Sequence, residues 1–179
     1  MSKLSDQAIT LADRHDPNEM RSLIRRLDQI RDDLCRLVRS MPLDALTRRP
    51  GKDQWSALEH LRHLLFAEDL YINRWILRSD TALSRLGNLP GFLRGRPGFE
   101  AVGTDRTTDV EKIIHEWAGI HKLTLAFVAA ATADQLTTDT SDIDFGQGTV
   151  GGVLQGMAQH ELHHVRRIEQ AMAAATNDK

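Results

Sequence analysis

Cysteine is almost absent: Cys35 stands alone in 179 residues. That excludes an internal disulfide and a cysteine-built zinc site, and it suits a reducing cytosol. An excess of positive charge is missing too. Lys plus Arg number 23 against 25 for Asp plus Glu, a net charge of −2, so no global basic field attracts a phosphate backbone. Aromatic residues make up only 5% and no basic stripe carries them, so nucleic acid is not an expected partner. Long apolar runs are lacking as well. Met1 to Arg14 mixes Lys3, Asp6 and Asp13 into its apolar positions, unlike a secretory signal, and no stretch is apolar enough to span a bilayer. What is present, 41% hydrophobic and 27% charged residues, fits a globular protein with one domain over residues 1–179 in the cytoplasm.

Apolar residues recur in steps of three and four in four places. Met20, Leu23, Ile24, Leu27, Ile30, Leu34, Leu37, Val38 and Met41 trace one face of a helix from Pro17 to Met41, capped by Asp16 and stopped by Pro42. The charges among them, including Arg31, read as a solvated outer face. After a connector over Pro42–Gln54, Ser56-Ala57-Leu58-Glu59 is a capping box that opens a second helix running to about Arg78. Thr108-Asp109-Val110-Glu111 opens a third, which ends near Thr132, and Thr149 to Ala175 forms the fourth. Gly151, Gly152 and Gly156 weaken that last helix and imply close approach by a neighbour. The polar link Thr137–Gly148 contains Asp139, Asp142, Asp144 and Gly146, but their spacing fails the calcium-loop pattern. Four long helices without a convincing strand make the fold all-α, most economically a helical bundle.

Eight histidines are the strongest anomaly, and three of them cluster as His160, His163 and His164. Four residues apart on a helix, His160 and His164 stack on one face, within a stripe that includes Met157 and Ile168. Two buried imidazoles need partners, and one ion about 2.0–2.1 Å from each would supply them. Satisfied core histidines, or surface histidines on a differently rotated helix, are the structural alternatives. His160-Glu161-Leu162-His163-His164 also matches the H-E-x-x-H of zinc peptidases. Too little chain follows to supply their third ligand or a cleft. The E-x-x-H of di-iron bundles has no second copy here.

Trp55-Ser56, Glu59, His63-Leu64 and the final pair His160 and His164 together resemble the DinB/YfiT-like superfamily over nearly the whole chain. The resemblance implies an up-down-down-up four-helix bundle, often a homodimer, with one divalent metal on His63, His160 and His164. Zinc is the first choice, and nickel or iron would also suit histidine ligands. Relatives of known activity include mycothiol-dependent maleylpyruvate isomerase and bacillithiol S-transferases. His60 and His163 lie beside the motif positions and are not carried over as ligands, while His115 and His121 read as structural.

The expected function is therefore that of a metal-dependent enzyme of small-molecule metabolism. It would be a transferase or isomerase using a low-molecular-weight thiol, or a hydrolase, acting on an electrophilic small molecule. The alternative is a non-catalytic metal-binding protein of stress response or interaction. Glu161 is the candidate base or orienting residue, with a surface ion pair to Arg166 or Arg167 as its other reading. The loop from Leu86 to Arg106, rich in glycine and proline, is expected to border the metal, with Arg94 and Arg96 gripping an anionic, partly apolar ligand beside Phe92 and Phe99.

Overall fold

The computed structural model describes residues 13–142 and 148–177, so Asp144, Gly146 and the first twelve residues lie outside it. Helix α1 runs over Pro17–Arg39, where the Asp16 carboxylate accepts from the backbone N–H groups of Asn18 and Glu19 and Pro17 needs no donor. The connector that follows holds a short helix absent from the sequence reading, α2 at Leu43–Thr47, which buries Ala45 and Leu46. Helix α3 spans Ala57–Asp69 and opens on the expected box, Ser56 and Glu59 each satisfying the other's backbone N–H.

Beyond Asp69 the helix widens. Leu70–Ile76 is π-helical, closed by the N–H of Leu77 donating to the Ile72 carbonyl five residues back at 2.9 Å. The buried Asp69 carboxylate steadies this turn, accepting from the Asn73 amide and from the Ser84 backbone N–H, each at 2.7 Å.

A 3-10 turn at Gly91–Leu93 interrupts the long loop. Helix α4 covers Val110–Ala130 and is capped by Asp109, one residue later than the pattern suggested. A short α5, Ala133–Thr137, carries its own capping box on Thr132 and Gln135, and α6 runs over Val150–Asn177. Among the described residues there is no strand, only an isolated bridge between Asp139 and Thr149. Among the described residues no helix is long and apolar enough to cross a membrane.

The long helices pack around a shared interior, α3 against α6 and α4, and α1 against both of those. Ile30, Leu34, Leu61, Leu65, Trp117 and Ile168 fill one part of it, and Met20, Leu27, Val128, Leu154 and Met157 another. Each fully buried aliphatic side chain contributes about 1.5–3 kcal/mol, far more than helix propensity alone. A third cluster joins Phe66 and Trp75 to Leu83, Leu93 and Val102, so the long loop is held down by its own apolar residues. Gly151 shows why α6 tolerates glycine, since a Cβ there would lie 1.8 Å from the Arg14 carbonyl oxygen.

One expectation fails inside this core. Arg31 is not on a solvated face: it is 4% exposed, packed between α1, α3 and α6. Its Nη2 reaches Glu68 Oε2 at 2.7 Å and Glu161 Oε2 at 2.8 Å, and its guanidinium lies 4.2 Å over the ring of Trp117. Two carboxylates buried on one cation explain why the side chain is drawn inward.

Candidate metal centre

Contact between α3 and α6 brings His63 against His160 and His164. One nitrogen from each ring falls within 4.8 Å of the others, and His63 Nε2 is 3.2 Å from His160 Nε2. Two nitrogens bound to one tetrahedral zinc at about 2.05 Å stand roughly 3.3 Å apart, so this pair is already at ligand spacing.

Two of the remaining ring nitrogens are engaged elsewhere. His63 Nδ1 lies 2.9 Å from the backbone oxygen of Asn88, and because a carbonyl can only accept, Nδ1 carries the proton and Nε2 keeps its lone pair. His164 Nδ1 meets His60 Nδ1 at 2.9 Å, which leaves His164 Nε2 for an ion. His60 lies outside the three-histidine cluster but orients one of its rings. Exposed His163 meets the edge of His164, with ring centroids 5.1 Å apart, and borders the cavity beside the cluster.

Trp55 closes the cluster, its ring centroid 5.0 Å from that of His63 and 6.2 Å from that of His164. The indole helps keep water from the imidazoles. Burial, reinforced by the neighbouring histidines, lowers the pKa of His160 to about 4 and that of His164 to about 2; burial also lowers that of His63. At neutral pH all three rings are therefore in the uncharged, ligating form. Three neutral imidazoles with spare nitrogens at this spacing fit a single divalent ion.

Beside the rings lies a cavity of about 460 Å³, walled by Trp55, Phe66, Tyr71, Trp75 and Phe92. The π-helical turn supplies Tyr71 and Trp75, which meet edge to face at 4.6 Å, and Tyr71 reaches His160 at 6.0 Å between centroids. Phe92, though 62% exposed, borders the histidine cavity from the long loop. Arg94 turns to a second cavity, and exposed Arg96 lines neither.

Glu161 makes neither of its expected surface pairs. It is buried, with its Oε1 accepting from Arg31 Nε at 3.2 Å and its Oε2 from Nη2 at 2.8 Å, and the histidine cavity is lined without it. Glu68, beyond Arg31, accepts from Trp117 Nε1 and His121 Nδ1 at 2.7 Å each and from the Thr124 hydroxyl at 2.8 Å. His121 Nε2 completes the chain to Asp28 at 3.0 Å, so His121 is structural, as read from the sequence. Burial opposes the Glu68 charge, but Arg31, His121 and Thr124 outweigh it and hold the carboxyl at about 2. Glu161 has Arg31 alone as a donor, and there burial prevails and raises its pKa.

The network was missed in the sequence. Its one visible signal is spacing, for Arg31 falls four after Leu27 and three before Leu34, on the buried face of α1. The bond from Asn88 has no side-chain signature at all. Compared with known families, residues 26–168, which include all three ligand candidates, match the sequence model of the DinB superfamily. No curated protein and no solved structure matches the chain.

Proposed function

The chain belongs to the DinB superfamily, and from that premise we propose that it is a metal-dependent enzyme acting on an electrophilic small molecule. The observation that carries the proposal is the convergence of His63, His160 and His164 on the edge of an apolar cavity. Three protein ligands leave a divalent ion, zinc first among the candidates, with an open position. When bound, such an ion lowers the pKa of a water or thiol ligand toward neutrality.

The chain's own residues do the rest. Asn88 fixes the ring of His63 with a lone pair toward the ion site, and His60 holds the ring of His164, whose Nε2 offers its lone pair when Nδ1 is the donor to His60. Trp55, Phe66 and Trp75 exclude water and take up the apolar part of a substrate. Glu161, held by Arg31, serves to fix α6 against α1 and is not the base in this reading. A low-molecular-weight thiol as nucleophile makes the reaction a transfer or isomerisation; water makes it a hydrolysis. The rival role, an ion that merely organises the helices, calls for a fourth protein ligand. The neighbouring ring of His60 has its Nδ1 engaged by His164. The same reading includes a single domain, the up-down-down-up order of the long helices, and a homodimer.

Elemental analysis of the purified protein, joined to a screen of thiols and water against electrophiles, tests the proposal. One ion per chain and metal-dependent consumption of an electrophile are expected. Stoichiometric metal with no turnover by either nucleophile would transfer the chain to the binding role.

A further inference from the structure

A second cavity, of about 430 Å³, lies beside the long loop and is bordered by Arg49, Arg62, Arg94, Arg106, Glu59 and Asn88. It shares no lining residue with the histidine cavity. Its charge is unbalanced. Glu59 is the one acidic group on its wall, and both carboxylate oxygens pair with Arg49. Arg62 is held by two neutral acceptors, its Nε donating to the Leu86 carbonyl at 2.7 Å and its Nη2 to that of Asp105. Carbonyls fix the position of a guanidinium and leave its charge in place. The guanidinium groups of Arg94 and Arg106 have neither an ion pair nor a hydrogen bond among the described residues. Burial weighs most against the Arg62 charge; the Asp105 carboxylate, itself paired with Lys112, and Glu59 favour it, and Arg106 opposes it.

The wall is also built closely. A Cβ on Gly87 would lie 2.8 Å from the Phe66 Cβ and 2.9 Å from a Val102 methyl, and Gly103, at φ +78°, would set its own Cβ 3.3 Å from the Gly87 oxygen. Two stretches of loop backbone therefore meet with no side chain between them, and Arg62 is anchored by the same stretches. Planar guanidinium forks around a concave site are the arrangement that recognises carboxylate and phosphate.

We propose that the cavity bordered by Arg62, Arg94 and Arg106 is a binding site for the oxyanion group of a small molecule, a carboxylate or a phosphate. The site stands independently of the metal reading. A bound oxyanion offsets the three like charges and takes hydrogen bonds from Arg94 and Arg106, while Arg62 acts from its fixed place on the wall. The volume admits a small organic acid or phosphate ester and falls within the range of ordinary ligand pockets.

Calorimetric titration of the full chain at low ionic strength, with inorganic phosphate and separately with citrate, tests this. Saturable one-to-one binding of at least one anion is expected, and which of the two binds tells phosphate from carboxylate. Arg94→Gln combined with Arg106→Gln should weaken that binding by about ten-fold or more. Both side chains are exposed, so helicity should be unchanged. The charge-matched control Arg25→Gln with Arg26→Gln, on the exposed face of α1, should bind as the parent does. Binding should also survive His160→Ala. No saturable heat with either anion overturns the proposal. An equal loss in the control shows a diffuse charge effect, and loss of binding in His160→Ala places the anion on the metal; either also overturns it.

Discussion

Replacing Arg31 by methionine removes the one cation that Glu68 and Glu161 share, and keeps most of the side-chain volume. Both carboxylates stay buried, at 2% and 3% exposure, and neither can turn to water. Removing one partner of a buried ion pair costs about 3–5 kcal/mol, largely the penalty of the charge left behind. Loss of the guanidinium over Trp117 adds to that. Against a total stability of about 5–15 kcal/mol this is a large fraction.

The same substitution reverses part of the pH response. In the parent, the folded pKa of Glu68 sits at about 2, below its ordinary 4.5, so its contribution is present above 4.5 and is lost as pH falls toward 2. Without Arg31, Glu161, already raised by burial, rises further and Glu68 moves up from its depressed value, so the folded variant holds more protons than the folded parent does. Its stability therefore rises relative to the parent as pH falls from 7 to 5. Urea unfolding followed by circular dichroism at both pH values measures the gap, which should be about 3–5 kcal/mol at pH 7 and smaller at pH 5. Arg31→Lys, which keeps the charge and loses the fork, should fall between the two. A gap below about 1 kcal/mol at pH 7, or one that does not shrink on acidification, refutes the reasoning.

His63→Ala, His160→Ala and His164→Ala should each lose bound metal by elemental analysis, whereas His121→Ala keeps it and loses about 1.5–3 kcal/mol of stability through its bonds to Glu68 and Asp28; full occupancy in all three ligand variants would remove the site. Burial pushes the Cys35 thiol up to about 11, which leaves roughly two orders of magnitude less thiolate at pH 8 than free cysteine has. A thiol reagent should consequently label it only on unfolding, and rapid labelling of the native protein would contradict its placement. Gly151→Ala should lower the unfolding midpoint by the equivalent of about 1–3 kcal/mol, because the clash with the Arg14 carbonyl exceeds the helical gain. Light scattering at micromolar concentration should give twice the chain mass, and a monomer would dispose of the homodimer.

The long helices were legible because their evidence is local: a 3.6-residue apolar period, proline at the first turn of α1, a box at Ser56 and Glu59. His160 and His164 were legible for the same reason, four apart on one face. His63 lies 97 residues from His160 in the chain, and only the resemblance joined them. The pairing of Arg31 with Glu68 and Glu161 escaped notice because an isolated charge in a helical sequence ordinarily points to water. What draws these three inward is each other, and three helices must be assembled before that is visible. The widening at Leu70–Ile76 follows no residue rule either, and with it went the placement of Tyr71 and Trp75 at the cavity.

The ring of His63 is steered by a main-chain oxygen, that of Asn88, and a main-chain oxygen is indifferent to the residue that bears it. The loop can then exchange Phe92 or Arg94 for other side chains, altering what enters either cavity, with the ligand's orientation undisturbed. Constraint moves instead to Gly87, next to Asn88, where even one methyl group would collide with Phe66 and Val102. On the proposed reading, selectivity and metal chemistry are thereby separable within a few residues of chain, an arrangement that would let one helical frame diversify its substrates while its centre stays the same.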